Sequence, residues 1–176
     1  MSLVDLTFEA AEWLRSTSLP ALADSISASA FSQMLQSSFW IIPSLQSLHI
    51  LGIAALFGSS TLINLRVLGL YARDASPARI VARFGPWIFW GFIGLLVTGL
   101  LLVIAEPARE LVNPVFWFKM ILIVIALLLS TALNRRILAM PPQGRTAAAT
   151  RMHAILLLLL WCLIIFAGRW IGYAPI

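Results

Sequence analysis

Residues 84–105 read FGPWIFWGFIGLLVTGLLLVIA and contain no charged side chain. A helix needs about 20 mostly apolar residues to cross the hydrocarbon core of a membrane, and this stretch is long enough. Three further segments, at 45–65, 114–133 and 154–171, have the same apolar character. The sequence therefore predicts an all-α fold in the form of a four-helix transmembrane bundle.

The composition of the whole chain supports this prediction. Hydrophobic residues make up 61% of the 176 residues and charged residues 11%, whereas a soluble domain has about 25% charged residues. So few charges cannot cover a surface that faces water, which excludes an ordinary soluble enzyme, a disordered chain and a nucleic-acid-binding arm. The single cysteine, Cys162, excludes an intrachain disulfide and a C-x-x-C redox motif.

The first part of the chain has a different character from the rest. Apolar and acidic side chains alternate at helical spacing over residues 3–15, which predicts an amphipathic helix capped by Ser2. A second short helix is predicted to begin at Pro20. We expect residues 1–43 to form an amphipathic, interfacial segment that lies on the membrane or packs on a protein, and 44–176 to form the four-span bundle.

The arginines predict how the chain is oriented in the membrane. They cluster in the connections after the first and third spans, as Arg66, Arg73, Arg79, Arg83, Arg135, Arg136, Arg145 and Arg151. Connections rich in arginine and lysine face the cytoplasm. The sequence thus predicts a multi-pass protein of the bacterial inner membrane with both termini in the periplasm.

Ionisable side chains inside a membrane are costly and are candidates for function. With this orientation each span contributes one such residue near the outer leaflet, namely His49, Glu106, Lys119 and Arg169. We expect these four side chains to converge on one site, with Met120 beside Lys119 as a further ligand. In the alternative interpretation, the two cations reach out to the interface and Glu106 only begins a loop. His153 lies at the opposite face of the membrane and is expected to contact water.

The residue types at this predicted site suit two kinds of ligand. His49 is the candidate metal ligand, as an axial ligand to the iron of haem b, with Lys119 and Arg169 pairing the propionates and Glu106 tuning the site. Met120, or His49 of another subunit, would supply a second axial ligand. A quinone could occupy the same pocket, with His49 and Glu106 handling protons.

Several stretches distributed over all four spans form a recognisable pattern, namely Leu48–Gly52, Asn64–Leu70, Glu106, Asn113–Phe116, Lys119, Trp161 and Gly168–Trp170. With these stretches the chain resembles a family of small bacterial four-helix integral membrane proteins of unknown function. The resemblance implies the fold without an activity. A more distant similarity to copper-resistance-D and cytochrome b561-like membrane proteins implies haem bound by histidine. The chain departs from that pattern, because it has no second histidine at the depth of His49.

These observations support two main functions. The first is electron transfer through haem b or a quinone at His49. The alternative is a non-catalytic scaffold or anchor subunit of a larger membrane complex, which the acidic amphipathic N-terminus favours. A copper transporter is a poorer match, because the five methionines are scattered.

The sequence shows no nucleophile–base pair and favours a protein that is not an enzyme on its own. Expected partners are membrane lipid and a second copy or a larger complex, and not nucleic acid.

Overall fold

The computed structural model describes residues 3–140 and 146–173. Within these ranges the helices make up the regular secondary structure and there is no strand, which confirms the predicted all-α fold class. Two residues used in the predictions, Ser2 as a helix cap and Arg145 as a basic loop residue, lie outside the described residues.

Eight helices follow one another in the described residues. They are α1 (Leu3–Arg15), α2 (Leu19–Ser27), α3 (Ala30–Ser37), α4 (Ile41–Leu68), α5 (Pro77–Ala105), α6 (Pro107–Leu111), α7 (Pro114–Leu138) and α8 (Ala148–Trp170). The helices α4, α5, α7 and α8 are long and apolar enough to cross a membrane. They correspond to the four predicted spans, and they support a membrane protein.

The long helices extend beyond the apolar segments that predicted them, because capping residues rather than hydropathy decide where a helix begins. The Oγ atom of Ser76 accepts a hydrogen bond from the backbone N–H of Arg79, and Pro77 occupies the first helical position of α5. Pro86 therefore lies inside α5, although it is only the third residue of the apolar segment 84–105. Pro114, the first residue of the segment 114–133, begins α7.

Contacts divide the described chain into two compact units. The first contains residues 3–50, 96–121 and 165–173, and the second contains 51–95 and 122–164 apart from the gap at 141–145.

In the first unit α2 packs on α1, α3 and α6. The single short helix predicted from Pro20 onward is divided into α2 and α3, because the Ser29 side chain accepts from the backbone N–H of Ser32 and caps α3. Ser32 is itself fully buried, and its hydroxyl donates to the carbonyl of Ile104 at 2.6 Å. This bond attaches α3 to the end of α5.

The core of the second unit is built from all four long helices. Leu56, Val67, Ile80, Ile137 and Ala154 are among its buried members. The two helices α4 and α5 approach closely here, because a Cβ atom on Gly91 would lie 3.2 Å from the backbone nitrogen of Leu56. Small residues permit such approaches between helices in lipid.

Candidate ligand site at His49

The imidazole of His49 is the best-defined polar group of the first unit. It is half-buried on α4, and its Nδ1 atom is hydrogen-bonded to the hydroxyl of Thr98 on α5 at 2.8 Å. Thr98 is buried. A hydrogen bond at one ring nitrogen fixes the orientation of an imidazole and leaves the other nitrogen as the atom that meets a ligand. In His49 that atom is Nε2.

A glycine next to Thr98 makes room for the ring. A Cβ atom on Gly99 would lie 3.3 Å from Cε1 of His49, tighter than an ordinary van der Waals contact. The absence of a side chain at this position therefore lets the imidazole lie directly against α5. Thr98 and Gly99 were not among the predicted site residues, and their proximity to His49 became visible only in the structure.

Glu106 and Arg109 form an ion pair at the end of α5. The Nη1 atom of Arg109 lies 2.8 Å from Oε2 of Glu106, and the two side chains are 41% and 31% exposed. An exposed ion pair of this kind contributes at most about 1 kcal/mol to stability. On its other side Arg109 lies against Gly172, where a Cβ atom would be 3.5 Å from Nη2. Glu106 is thus already paired with a cation that the sequence interpretation did not assign to it.

Lys119 lies on α7 beside a second glycine. Its side chain is half-buried, and its Cδ and Nζ atoms would be 3.8 Å and 3.9 Å from a Cβ atom on Gly168. Its ammonium group acts electrostatically on the His49 ring and on the Glu110 carboxyl group. The charge of Lys119 therefore influences both the His49 ring on α4 and the Glu110 carboxyl group on α6.

Glu110 on α6 is a further carboxylate near Lys119 and Arg109, although it was not among the predicted site residues. Burial raises the pKa of the Glu110 carboxyl group above its usual range, and the positive charges of Lys119 and Arg109 offset part of that rise. No spacing signal marked Glu110, because its proximity to Lys119 depends on how the short helix α6 is folded against α7.

The remaining predicted site residues are placed differently. Arg169 is exposed; its guanidinium donates to the Tyr173 hydroxyl at 2.9 Å and lies 5.1 Å from the centre of that ring. Met120 is half-buried next to Lys119 on α7. Of the predicted set, His49 pairs with Thr98, Glu106 with Arg109 and Arg169 with Tyr173.

Asn113 joins the beginning of α7 to the backbone that follows α8. It is fully buried; its Oδ1 atom accepts from the backbone N–H of Val115 at 2.9 Å, and its Nδ2 atom donates to the carbonyl of Ile171 at 3.1 Å. One amide side chain thus caps α7 and binds a carbonyl just beyond α8. The Asn-Pro pair before an apolar run is the sequence signal for the cap.

An open cleft of about 440 Å³ lies beside the Glu106–Arg109 pair. It is lined by Ser27, Gln36, Ile42 and residues 105–109. In the described residues, no three histidine, cysteine, aspartate or glutamate side chains lie together as a metal site requires.

The second histidine lies in the second unit. His153 is half-buried, and its Nε2 atom lies 3.0 Å from the backbone carbonyl of Leu129. The bond attaches the beginning of α8 to α7. His153 thus has a structural partner in addition to any water that it contacts.

Comparison with known proteins identifies a family without an assigned activity. No curated protein and no solved structure matches the chain, so the similarity to copper-resistance-D and cytochrome b561-like proteins gains no support. The model of a family of unknown function, DUF6644, matches residues 37–174, more than three quarters of the chain. The chain therefore belongs to the family of unknown function DUF6644.

Proposed function

We propose that this protein of the DUF6644 family binds a membrane-soluble electron carrier at His49, and that the carrier is a quinone. The observation that carries the proposal is the hydrogen bond between Nδ1 of His49 and Thr98. It orients the ring within an apolar helix pair and leaves Nε2 for a ligand. A quinone carbonyl is an acceptor that a protonated ring nitrogen can bind.

The ionisable neighbours of His49 support a quinone in particular. Reduction of a quinone consumes protons, and side chains that gain and lose protons are needed near its carbonyl groups. Lys119 acts electrostatically on both His49 and Glu110. In this proposal His49 binds the carbonyl, and Lys119 and Glu110 adjust the charge of the site as protons arrive.

Haem b is the second candidate for the same position. Histidines that bind metals usually hold their other ring nitrogen in a hydrogen bond, as His49 does with Thr98. Nε2 of His49 would hold the haem iron together with Met120 or a second copy of the chain, and Lys119 and Arg169 would hold the propionates. Bound haem would supply one-electron transfer.

A visible spectrum and a quinone titration of the purified protein test both candidates. A Soret band identifies haem; without it, we expect saturable binding of a short-chain quinone. His49→Ala should abolish binding of either ligand. Thr98→Val should weaken it about fivefold to a hundredfold, because a lost hydrogen bond inside a protein costs about 1–3 kcal/mol.

His153→Ala is the matched control, since it removes the other imidazole from the second unit. It should leave binding unchanged. Equal losses in His49→Ala and His153→Ala, or no binding of either ligand by a folded wild-type protein, would contradict the proposal.

The orientation of the chain is part of the same proposal. We infer a bacterial inner-membrane protein with periplasmic termini from the arginine-rich connections after α4 and α7. His49 would then face the outer leaflet.

An anchor or scaffold function is favoured by the exposed apolar side chains of α1. Leu6, Phe8 and Trp13 are 44%, 50% and 67% exposed, which suits packing on lipid, on a second copy or on another subunit. A chain that assembles with a partner and binds neither haem nor quinone would support this function instead.

A further inference from the structure

The second unit concentrates almost all of the positive charge of the protein. Residues 51–95 and 122–164 contain eight arginines and a single acidic residue, Asp74, whereas the rest of the chain has more acidic than basic residues. The only ion pair among the described residues joins Arg109 to Glu106, which are outside this unit. The seven arginines of the second unit that the structure describes therefore have no carboxylate partner among the described residues.

These arginines lie at one end of the four long helices. The end of α4 and the beginning of α5 are joined by the connection that contains Arg73, and the end of α7 is followed in the chain by the beginning of α8. Each of these four helix ends contributes a buried residue to the same core cluster, namely Val67, Ile80, Ile137 and Ala154. Arg66, Arg79 and Arg136 are the immediate chain neighbours of the first three. The arginines thus surround a single end of the helices in this unit.

The arginines fall into two groups by their contacts. Arg66 is bound to the connection between α4 and α5, because its Nε atom donates a hydrogen bond to the carbonyl of Ala75 at 2.6 Å. Arg73 likewise donates to the carbonyl of Gly69. Arg79 and Arg83 are exposed, and their spacing places them on the same face of the first two turns of α5. They form an unneutralised pair of guanidinium groups.

The remaining exposed arginines of this end are Arg135, Arg136 and Arg151. Apolar side chains are exposed among them: Leu70, Leu138 and Met152 are 67%, 59% and 58% exposed. A surface that mixes guanidinium groups with large apolar side chains suits the boundary between lipid headgroups and acyl chains. A polynucleotide would neutralise the arginines but leave these apolar side chains in water.

We infer that this end of the protein is a binding surface for anionic phospholipid headgroups, with Arg79 and Arg83 as its central phosphate-binding pair. Arginine binds phosphate through two parallel hydrogen bonds. Because the surface lies at the ends of apolar helices, the headgroup meets it while the acyl chains follow the helices. The inference is independent of any ligand at His49.

The test is a titration of the full-length protein in neutral detergent with short-chain phosphatidylglycerol, and with phosphatidylcholine of the same chain length. We expect tighter binding of phosphatidylglycerol that weakens as salt is added. A basic residue near an anionic membrane surface contributes about fivefold to affinity, so Arg79→Gln/Arg83→Gln should lose about twentyfold to thirtyfold. Arg79→Lys/Arg83→Lys should bind with an affinity between those of the wild type and the glutamine variant, because lysine keeps the charge but cannot form the two parallel hydrogen bonds.

The single variant Arg83→Gln has a matched control in Arg15→Gln. Both substitutions remove one exposed arginine, but Arg15 lies in the first unit. Arg15→Gln should leave the preference for phosphatidylglycerol unchanged. Should the double glutamine variant fail to fold, Arg135→Gln/Arg136→Gln at the end of α7 provides the same comparison. Equal binding of the two lipids, an equal loss in Arg15→Gln, or tighter binding of a single-stranded oligonucleotide than of phosphatidylglycerol would overturn the inference.

Discussion

At the scale of single residues, the first unit shows how a polar side chain is accommodated in an apolar setting. His49 bonds to Thr98, Ser32 to the carbonyl of Ile104, and Asn113 to two backbone groups. Each partner lies on another helix or at a helix end, where backbone groups are left without an intrahelical partner. The hydrogen bonds of these polar side chains therefore hold helices together, and they also provide each polar group with a partner.

Glu110 gives a prediction about pH. Because burial raises the pKa of its carboxyl group, the folded protein still holds this proton at a pH where the unfolded chain has lost it. The stability that this proton contributes is full below the ordinary pKa near 4.5 and is lost as the pH rises through the higher value of the folded state. Wild-type stability relative to Glu110→Gln should therefore fall from acidic to neutral pH.

Thermal unfolding in neutral detergent at several pH values measures this difference. Glu9→Gln removes one carboxylate from an exposed position of α1 and serves as the control for net charge. A difference between wild type and Glu110→Gln that grows in favour of wild type with rising pH would contradict the sign of the shift.

At the scale of elements, capping and side-chain bonds to helix ends decide where the helices begin, end and meet. The end of α5 is held by Ser32 on α3, and α7 begins at the cap formed by Asn113. Both side chains are fully buried. A short side chain at a helix end thus determines how the N-terminal helices are attached to the long ones.

Ser32→Ala tests the attachment of α3. The substitution leaves the carbonyl of Ile104 without the hydroxyl that it accepts from, and we expect a loss of about 1–3 kcal/mol in the free energy of unfolding. Ser25→Ala is the matched control, because the Ser25 hydroxyl is exposed and bonds within its own helix to the carbonyl of Ala21. Its effect should remain within about 0.5 kcal/mol. Equal losses in both variants would show that the contact between α3 and α5 carries no stability.

The sequence predicted the elements better than it predicted the site. Four apolar segments predicted the four long helices, because hydropathy over about 20 residues is a strong signal. The division of 19–37 into α2 and α3 depends on one serine cap, and the extension of α5 back to Pro77 on another. These are local contacts that hydropathy does not detect.

At the site, depth along a helix could be read from the sequence but rotation about its axis could not. His49, Lys119 and Arg169 were expected at similar depth, and rotation then decides which neighbours each one meets. Arg169 turns to Tyr173, and Glu106 pairs with Arg109 three residues later. The partner of His49 was a threonine, whose hydroxyl gives no charge signal in a sequence. The convergence of all four side chains stays a prediction for the binding experiments.

At the scale of the whole molecule, charge divides the chain unequally. The second unit contains eight arginines and one acidic residue, and the rest of the chain contains six acidic residues and four basic ones. Such an imbalance orients a membrane protein, because basic connections remain on the cytoplasmic side. We therefore expect the connection before α8 to be cytoplasmic and helix α6 to be periplasmic.

Labelling of single cysteines tests this orientation. Ala108 on α6 and Ala147 before α8 are both exposed, and each can be replaced by cysteine in a chain whose exposed Cys162 is changed to alanine. A thiol reagent that does not cross the inner membrane should label Ala108→Cys in intact cells and Ala147→Cys only after the cells are opened. The reverse pattern would invert the orientation and place His49 toward the cytoplasm.

The bond between Asn113 and Ile171 also has a consequence for synthesis of the chain. Its two partners are separated by 58 residues, so the amide of Asn113 has no acceptor at that position until the last helix has left the ribosome. A chain arrested earlier would present a capped α7 with an unsatisfied amide at its start. Insertion of α8 therefore supplies the acceptor for Asn113, and truncated chains that are released before residue 171 has been added should be the ones that membrane proteases remove.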